Sequence, residues 1–213
     1  MLLCRPTIVI QVVNLMKLIL ASTSLYRKTL LAKLCIPFST SAPEVDETPI
    51  IDESPEHLVA RLSLAKAQNV AAHQLGIVIG SDQVACVEGV ILGKPGHFER
   101  AYEQLAFLSG KTVTFYTGLT VCDALSGKSE TIVETFDVTF KSLSTKQITR
   151  YLELETPYDC AGSFKSEGLG ICLFSRLNGR DPNTLVGLPL IALMELLTKF
   201  NIDVFDYMQT TNE

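Results

Sequence analysis

The chain has no tryptophan and only three histidines in 213 residues, and the histidines stand far apart. A zinc site built on imidazoles is therefore not expected. It also lacks a Cys-x-x-Cys pair: Cys4, Cys35, Cys86, Cys122, Cys160 and Cys172 are scattered singly. Such spacing suits neither a metal ribbon nor a secreted disulfide framework, and reads as reduced thiols in a cytoplasmic protein. Positive charge is scarce as well. A net charge of -5 argues against a general nucleic-acid binder, so an anionic ligand would have to meet a local basic cluster. No apolar run is long enough to cross a membrane; residues 8–13 are interrupted by Gln11 and flanked by Arg5 and Asn14. No small-residue cleavage site follows that run, because the apolar pattern continues into Leu18-Ile19-Leu20. Repeats, linkers and low-complexity segments are missing too, which points to one domain over residues 16–200. Residues 1–15 read as an extension outside the fold and residues 201–213 as a frayed tail.

What is present is the composition of a folded protein, 47% hydrophobic and 19% charged, with enough chain to bury a substantial core. Residues 17–21 predict a strand, and Ser22-Thr23-Ser24 a hydroxyl-rich cap for a helix running to about Leu34. A weak strand follows at Phe38-Ser39-Thr40-Ser41. Ser54-Pro55 opens a helix to about His73, with serine as cap and proline at its first position. Ile77-Val78-Ile79 is a short β-branched run suited to a buried strand. Gly80 and Ser81 are expected to break it, leaving Asp82 where the strand emerges. A hairpin, a helix over residues 97–108, and a long antiparallel pair over residues 112–123 and 132–140 come next. Ser144 caps a further helix, residues 171–175 read as a strand, Asn178-Gly179-Arg180-Asp181-Pro182 as a turn, and Pro189 opens the last helix.

Several polar residues fall where this pattern brings ligands. In open α/β sheets ligands gather at the carboxyl ends of strands, so Asp82 suits either a metal-holding or proton-accepting role or simply the cap of a turn. The strand, hydroxyl turn and helix at residues 17–34 place free backbone N–H groups, and Ser22, at that same edge. Arg27 and Lys28 lie in the first helical turn, where cations oppose the helix dipole; that placement favours service to a phosphate over a solvated basic face. Glu44, Asp46 and Glu47 make an acidic loop, ordinarily solvated, which matters only if it folds back near Asp82 and shares a divalent cation with it. Lys66 lies along the edge of an apolar helix face, where a lysine more often snorkels. Lys94, between Gly93 and Pro95, sits on a fixed loop of the kind that presents charge to a ligand. The glycine- and serine-rich stretch over residues 160–170, around Lys165 and Glu167, is either a ligand loop or a plain connector; it lacks the spacing of a P-loop.

Taken together, Leu20-Ala21-Ser22-Thr23-Ser24-Leu25-Tyr26-Arg27-Lys28, Glu44-Val45-Asp46-Glu47, Leu64-Ala65-Lys66-Ala67, Gly80-Ser81-Asp82-Gln83, Gly93-Lys94-Pro95 and Ala161-Gly162-Ser163-Phe164 resemble the motifs of the Maf nucleotide pyrophosphatases. The resemblance covers about residues 16–200 in order. It implies an elongated, two-lobed α/β fold with a mixed sheet and a central cleft, similar to the inosine triphosphate pyrophosphatases. It also implies hydrolysis of a nucleoside triphosphate to monophosphate and pyrophosphate with a divalent cation, Mg²⁺ or Mn²⁺, in a homodimer without nucleic-acid or membrane partners. Ser22, Arg27, Lys28, Lys66 and Lys94 would bind the triphosphate, Glu47 and Asp82 the metal, and Asp82 would act on the attacking water. Gln83 and the stretch Ser163-Phe164-Lys165-Ser166-Glu167-Gly168 resemble the branch acting on 7-methyl-GTP, with Tyr26, Gln83 and Glu167 setting the base. Branches acting on dTTP and UTP carry threonine after the aspartate. Lys28 and Leu25 depart from the arginine and proline common at these positions, and lysine lacks the bidentate fork of arginine. The alternatives are a Maf-type pyrophosphatase acting on dTTP or UTP, or a non-catalytic nucleotide-binding protein linked to septum formation.

Overall fold

The computed structural model describes residues 16–208. The extension expected over residues 1–15 lies outside the described residues. Seven strands form one mixed sheet in the order β2-β1-β3-β5-β6-β7, with β4 attached to β3. They are β1 (Leu18–Ala21), β2 (Phe38–Ser41), β3 (Ile77–Val87), β4 (Val90–Leu92), β5 (Thr112–Asp123), β6 (Ser129–Phe140) and β7 (Phe174–Gly179). Only β1 pairs in parallel, with β2 on one side and β3 on the other; every other pairing is antiparallel. The helices are α1 (Leu25–Ala32), α2 (Pro55–Ala71), α3 (Phe98–Leu108), α4 (Thr145–Glu155), α5 (Asn183–Val186) and α6 (Leu190–Lys199).

Alternation along the strands divides the core. Leu18, Leu20, Ile77, Ile79, Leu119 and Val121 face one way, against Leu30 and Leu31 of α1 and Leu193 and Leu197 of α6. Ile19, Ala21, Val78 and Cys122 face the other way, under Ala67 and Val70 of α2. A strand covered on both faces has to be apolar at every position, which is why Ile77-Val78-Ile79 reads as an unbroken run. A second large cluster forms where β3, β5 and β6 run on past this region. There Phe115, Phe140, Phe164 and Phe174 meet edge to face, with centroids 5.0–5.5 Å apart.

Three expectations are corrected here. Gly80 and Ser81 do not end β3, which runs without interruption for 11 residues. The strand expected over residues 171–175 starts later: Leu169–Leu173 is a 3-10 turn, and β7 begins at Phe174, keeps Ser175 and absorbs Asn178 and Gly179 from the expected turn. The tail expected from residue 201 is also partly packed: Ile202 and Val204 are each 2% exposed and sit in the first core cluster, while residues 209–213 lie outside the described residues.

Gly80 is there for the helix. A Cβ on it would stand 2.2 Å from the carbonyl oxygen of Ser63, and one on Gly118 of β5 would stand 2.1 Å from that of Val59. Both oxygens belong to α2. The two glycines let the helix lie closer to the sheet than any side chain would allow. Val59, Ser63, Ala67 and Val70 form its buried face, and Lys66 turns inward with them at 6% exposure instead of snorkelling at the edge.

Candidate active site

Because β1 ends at Ala21, opposite Gly80, residues 81–84 of β3 run past its end paired with β5 alone among the described strands. Asp82 thus stands in mid-strand, yet just beyond the carboxyl end of the parallel pair. A cleft of about 680 Å³ opens there. Its walls include Ser22 and Arg27 from the β1–α1 turn, Glu47 from the acidic loop, Lys66 from α2, Asp82 and Gln83 from β3, Lys94 from the loop after β4, and Tyr26 and Glu167. Of the expected site residues, Lys28 alone is left out: it is exposed on α1 and does not line the cleft.

The centre of the cleft is a three-group ion pair. Lys66 Nζ donates to Asp82 Oδ1 at 2.6 Å and lies 2.6 Å from Glu47 Oε1. The lysine and aspartate side chains are 7% and 10% exposed, the glutamate 59%. The acidic loop does fold back to Asp82, and α2 holds it there. Arg61 clamps Glu53 through two bonds of 2.7 Å and donates to the Thr48 carbonyl. Asn69 exchanges two hydrogen bonds of 3.0 Å with the backbone of Glu44.

Across from this group the turn into α1 is organised by its own hydroxyls. Ser22 Oγ accepts from the N–H of Ser24, and Ser24 Oγ from that of Arg27. Arg27 is half-buried, and its Nε donates to the carbonyl of Gly187 at 2.9 Å, which also takes the hydroxyl of Ser81. Burial pulls the Arg27 guanidinium below its ordinary pKa, while Asp82 and Glu47 push it back up. Lys94 is exposed and pairs with no carboxylate among the described residues.

The cleft wall also carries aromatic and acidic side chains. Tyr26 is 38% exposed, and its phenol is pushed up to about 12, first by desolvation and then by Cys160, Asp159 and Glu167. Glu167 is exposed and accepts from its neighbour Ser166 at 3.1 Å. Arg27 thus lies within reach of the Glu47–Lys66–Asp82 group, while Cys160, Asp159 and Glu167 surround Tyr26.

Several wall residues were given no role of their own in the sequence reading. Lys165 lay inside the glycine-rich stretch already singled out; it is half-buried, with Nζ 3.4 Å from the Glu155 carbonyl. Phe115 was read only as a core residue of a long strand. Cys160 stood only as the first residue of that stretch, and Asp159 carried no signal in the sequence, since its place depends on how residues 156–164 turn.

Among the described residues no group of three or more His, Cys, Asp or Glu side chains could hold a metal alone. Glu47 and Asp82 nonetheless converge on one ammonium, and carboxylate oxygen is the donor that hard divalent cations take. Ions of the magnesium type use one or two carboxylates and draw the rest of their shell from water and substrate phosphate. To that extent the donor set fits. No helix among the described residues is long and apolar enough to cross a membrane.

A model of the Maf-like protein family matches residues 17–200. The 7-methyl-GTP pyrophosphatase of Pseudoalteromonas atlantica is 69% identical over 194 residues, which cover 91% of this chain and 100% of that one. The 7-methyl-GTP pyrophosphatase of Pseudoalteromonas translucida is 54% identical over 195 residues, covering 91% and 96%. That of Vibrio vulnificus is 52% identical over 188 residues, covering 88% and 97%. Among solved structures, a HAM1 protein from Coxiella burnetii superposes with a TM-score of 0.52 at 13% identity, over 87% of this chain and 100% of that one. The Ham1 protein of Staphylococcus aureus gives 0.51 at 12% identity with the same coverage. The last two likenesses concern the fold alone.

Proposed function

This chain belongs to the Maf family, and from that premise we propose that it hydrolyses 7-methyl-GTP at the α–β phosphoanhydride, releasing 7-methyl-GMP and pyrophosphate. The observation that carries the reading is the Glu47–Lys66–Asp82 group set in a cleft whose walls also carry Arg27, Lys94, Tyr26 and Glu167. The names of the relatives supply the substrate.

Arg27, Lys66 and Lys94 face the triphosphate and offset part of its charge, Lys66 from between Glu47 and Asp82, a local necessity in a chain of net charge -5. Arg27, tied to the Gly187 carbonyl through Nε, keeps its terminal nitrogens for phosphate oxygens. Asp82 orients the attacking water and takes its proton. A divalent cation, Mg²⁺ or Mn²⁺, would be held by Glu47 and Asp82 and, when bound, supplies Lewis-acid stabilisation to the phosphate oxygens. Most of the rate enhancement is then positioning and electrostatics, as in phosphoryl transfer generally.

Methylation at N7 leaves guanine cationic. The face of Tyr26 contributes a cation–π term of about 0.5–2 kcal/mol. The carboxylate of Glu167 accepts from the base with a charge-assisted bond of roughly 1.5–3 kcal/mol. A dimer and a cytoplasmic setting belong to the same proposal.

The test is pyrophosphate release from 7-methyl-GTP, GTP, dTTP and UTP with Mg²⁺. The expected kcat/KM for 7-methyl-GTP exceeds that for GTP by about 10–10³-fold, and Glu167→Ala should erase more of the preference than Tyr26→Ala. Equal rates on dTTP and 7-methyl-GTP would overturn the base assignment alone. Nucleotide binding without pyrophosphate release would overturn the enzyme.

A further inference from the structure

Gln83 differs from the other cleft residues in having both amide hydrogens already in use. Its Nε2 donates to the Thr184 carbonyl at 2.6 Å and to Thr117 Oγ1 at 2.8 Å, with the Leu185 carbonyl 3.5 Å away. Backbone carbonyls only accept, so the nitrogen must be the atom on that side, and the flipped amide is ruled out by chemistry. Thr117 closes the triangle. Its hydroxyl can give its hydrogen to the Thr184 carbonyl at 3.2 Å, which leaves its lone pairs for Gln83. Thr117 is 0% exposed and does not line the cleft. The Gln83 oxygen, by contrast, lies on the side of Gly187 and Arg27: a Cβ built on Gly187 would stand 3.7 Å from Oε1 and 3.3 Å from Arg27 Nε.

We propose that Thr117 is a positioning residue that locks Gln83 as a hydrogen-bond acceptor, so that Gln83 reads a donor on the nucleotide and cannot itself donate. The donor is the 2-amino N–H of the base or the 2′-hydroxyl of the ribose. The inference rests on the pyrophosphatase reading, but the lock can be measured without turnover. In the free protein the Gln83 side-chain NH₂ resonances should resist solvent exchange, and in Thr117→Val they should exchange at least about tenfold faster.

In kinetics, Thr117→Val should raise KM for 7-methyl-GTP about tenfold with kcat little changed, the value of one hydrogen bond expressed as binding. Thr117→Ser, which keeps the hydroxyl, should return KM to within about twofold of wild type. Two further substrates identify the donor: ITP lacks the 2-amino group and dGTP the 2′-hydroxyl. Whichever of them costs less in Thr117→Val than in wild type names the group that Gln83 reads. A KM within about twofold of wild type in Thr117→Val, a Thr117→Ser as impaired as Thr117→Val, or both penalties unchanged would overturn the proposal. Rapid exchange of the Gln83 NH₂ in the wild type would overturn the lock itself. Failure of the wild type to release pyrophosphate from any nucleotide would instead count against the enzyme reading.

Discussion

Asp82 and Lys66 hold each other at 2.6 Å with little access to water. Removing one partner of such a pair leaves a buried charge without compensation, at a cost of about 3–5 kcal/mol. Lys66→Met should therefore destabilise the protein by about that much. Asp82→Asn should keep the fold, because Lys66 still has Glu47, while turnover falls roughly 10²–10⁴-fold. In the double variant most of the stability lost in Lys66→Met should return, and activity should not. Urea unfolding of the four proteins checks this, and strictly additive losses would count against a coupled pair. The sequence expected Asp82 just past the end of a strand that in fact runs through it, and from spacing alone it put Lys66 at the edge of its helix face. Counting positions puts that lysine at the edge of an apolar stripe, and nothing in the count says how closely the helix approaches the sheet.

At the scale of elements, the loop carrying Glu47 is kept in place by α2. The Arg61 hydrogen bond to Glu53 holds that carboxyl down at about 2, against a smaller opposing effect of desolvation, below its usual 4.5. A depressed folded-state value means that this contribution is complete above pH 4.5 and is lost as pH falls through about 2. Glu53→Gln should lower the melting temperature at neutral pH and flatten its fall across that acid window, as thermal melts at successive pH values would register. The approach of α2 is testable too. Gly118→Ala would set a Cβ 2.1 Å from the Val59 carbonyl, an overpacking cost of about 1–3 kcal/mol. That corresponds to a melting temperature lower by about 2–12 °C, and turnover should fall as Lys66 moves from Asp82. An unchanged melting temperature would mean that the helix yields freely. These glycines also mark the limit of the sequence reading. Elements with local signatures, such as Ser54-Pro55 at the start of α2 or the alternation in β5, could be read directly. Gly80 could not, since a glycine that ends a strand and one that admits a helix look alike until the two elements meet. The same holds for β7, whose pairing with β6 is shifted near Phe140 and whose side chains are mostly exposed.

Across the whole molecule, β3 and β5 run from one hydrophobic cluster into the other, and the cleft opens beside them where β1 stops. A nucleotide there touches segments from both clusters, so its binding energy should be felt by the entire fold. With Asp82→Asn used to prevent turnover, 7-methyl-GTP at about 100 times its Kd should add about 2.7 kcal/mol, or about 5–11 °C in melting temperature. Calorimetry should show a single transition moving upward; two transitions, only one of them shifted, would mean that the clusters melt separately. The closeness of α2 to the sheet has one more consequence, in terms of inheritance. A single-base change turns a glycine codon into an alanine codon, and at position 80 or 118 that change adds one methyl group to a residue that need not touch the substrate. Lineages could lose this enzyme by such a step with every catalytic side chain still spelled correctly in the gene, so an intact motif is no guarantee of a working copy.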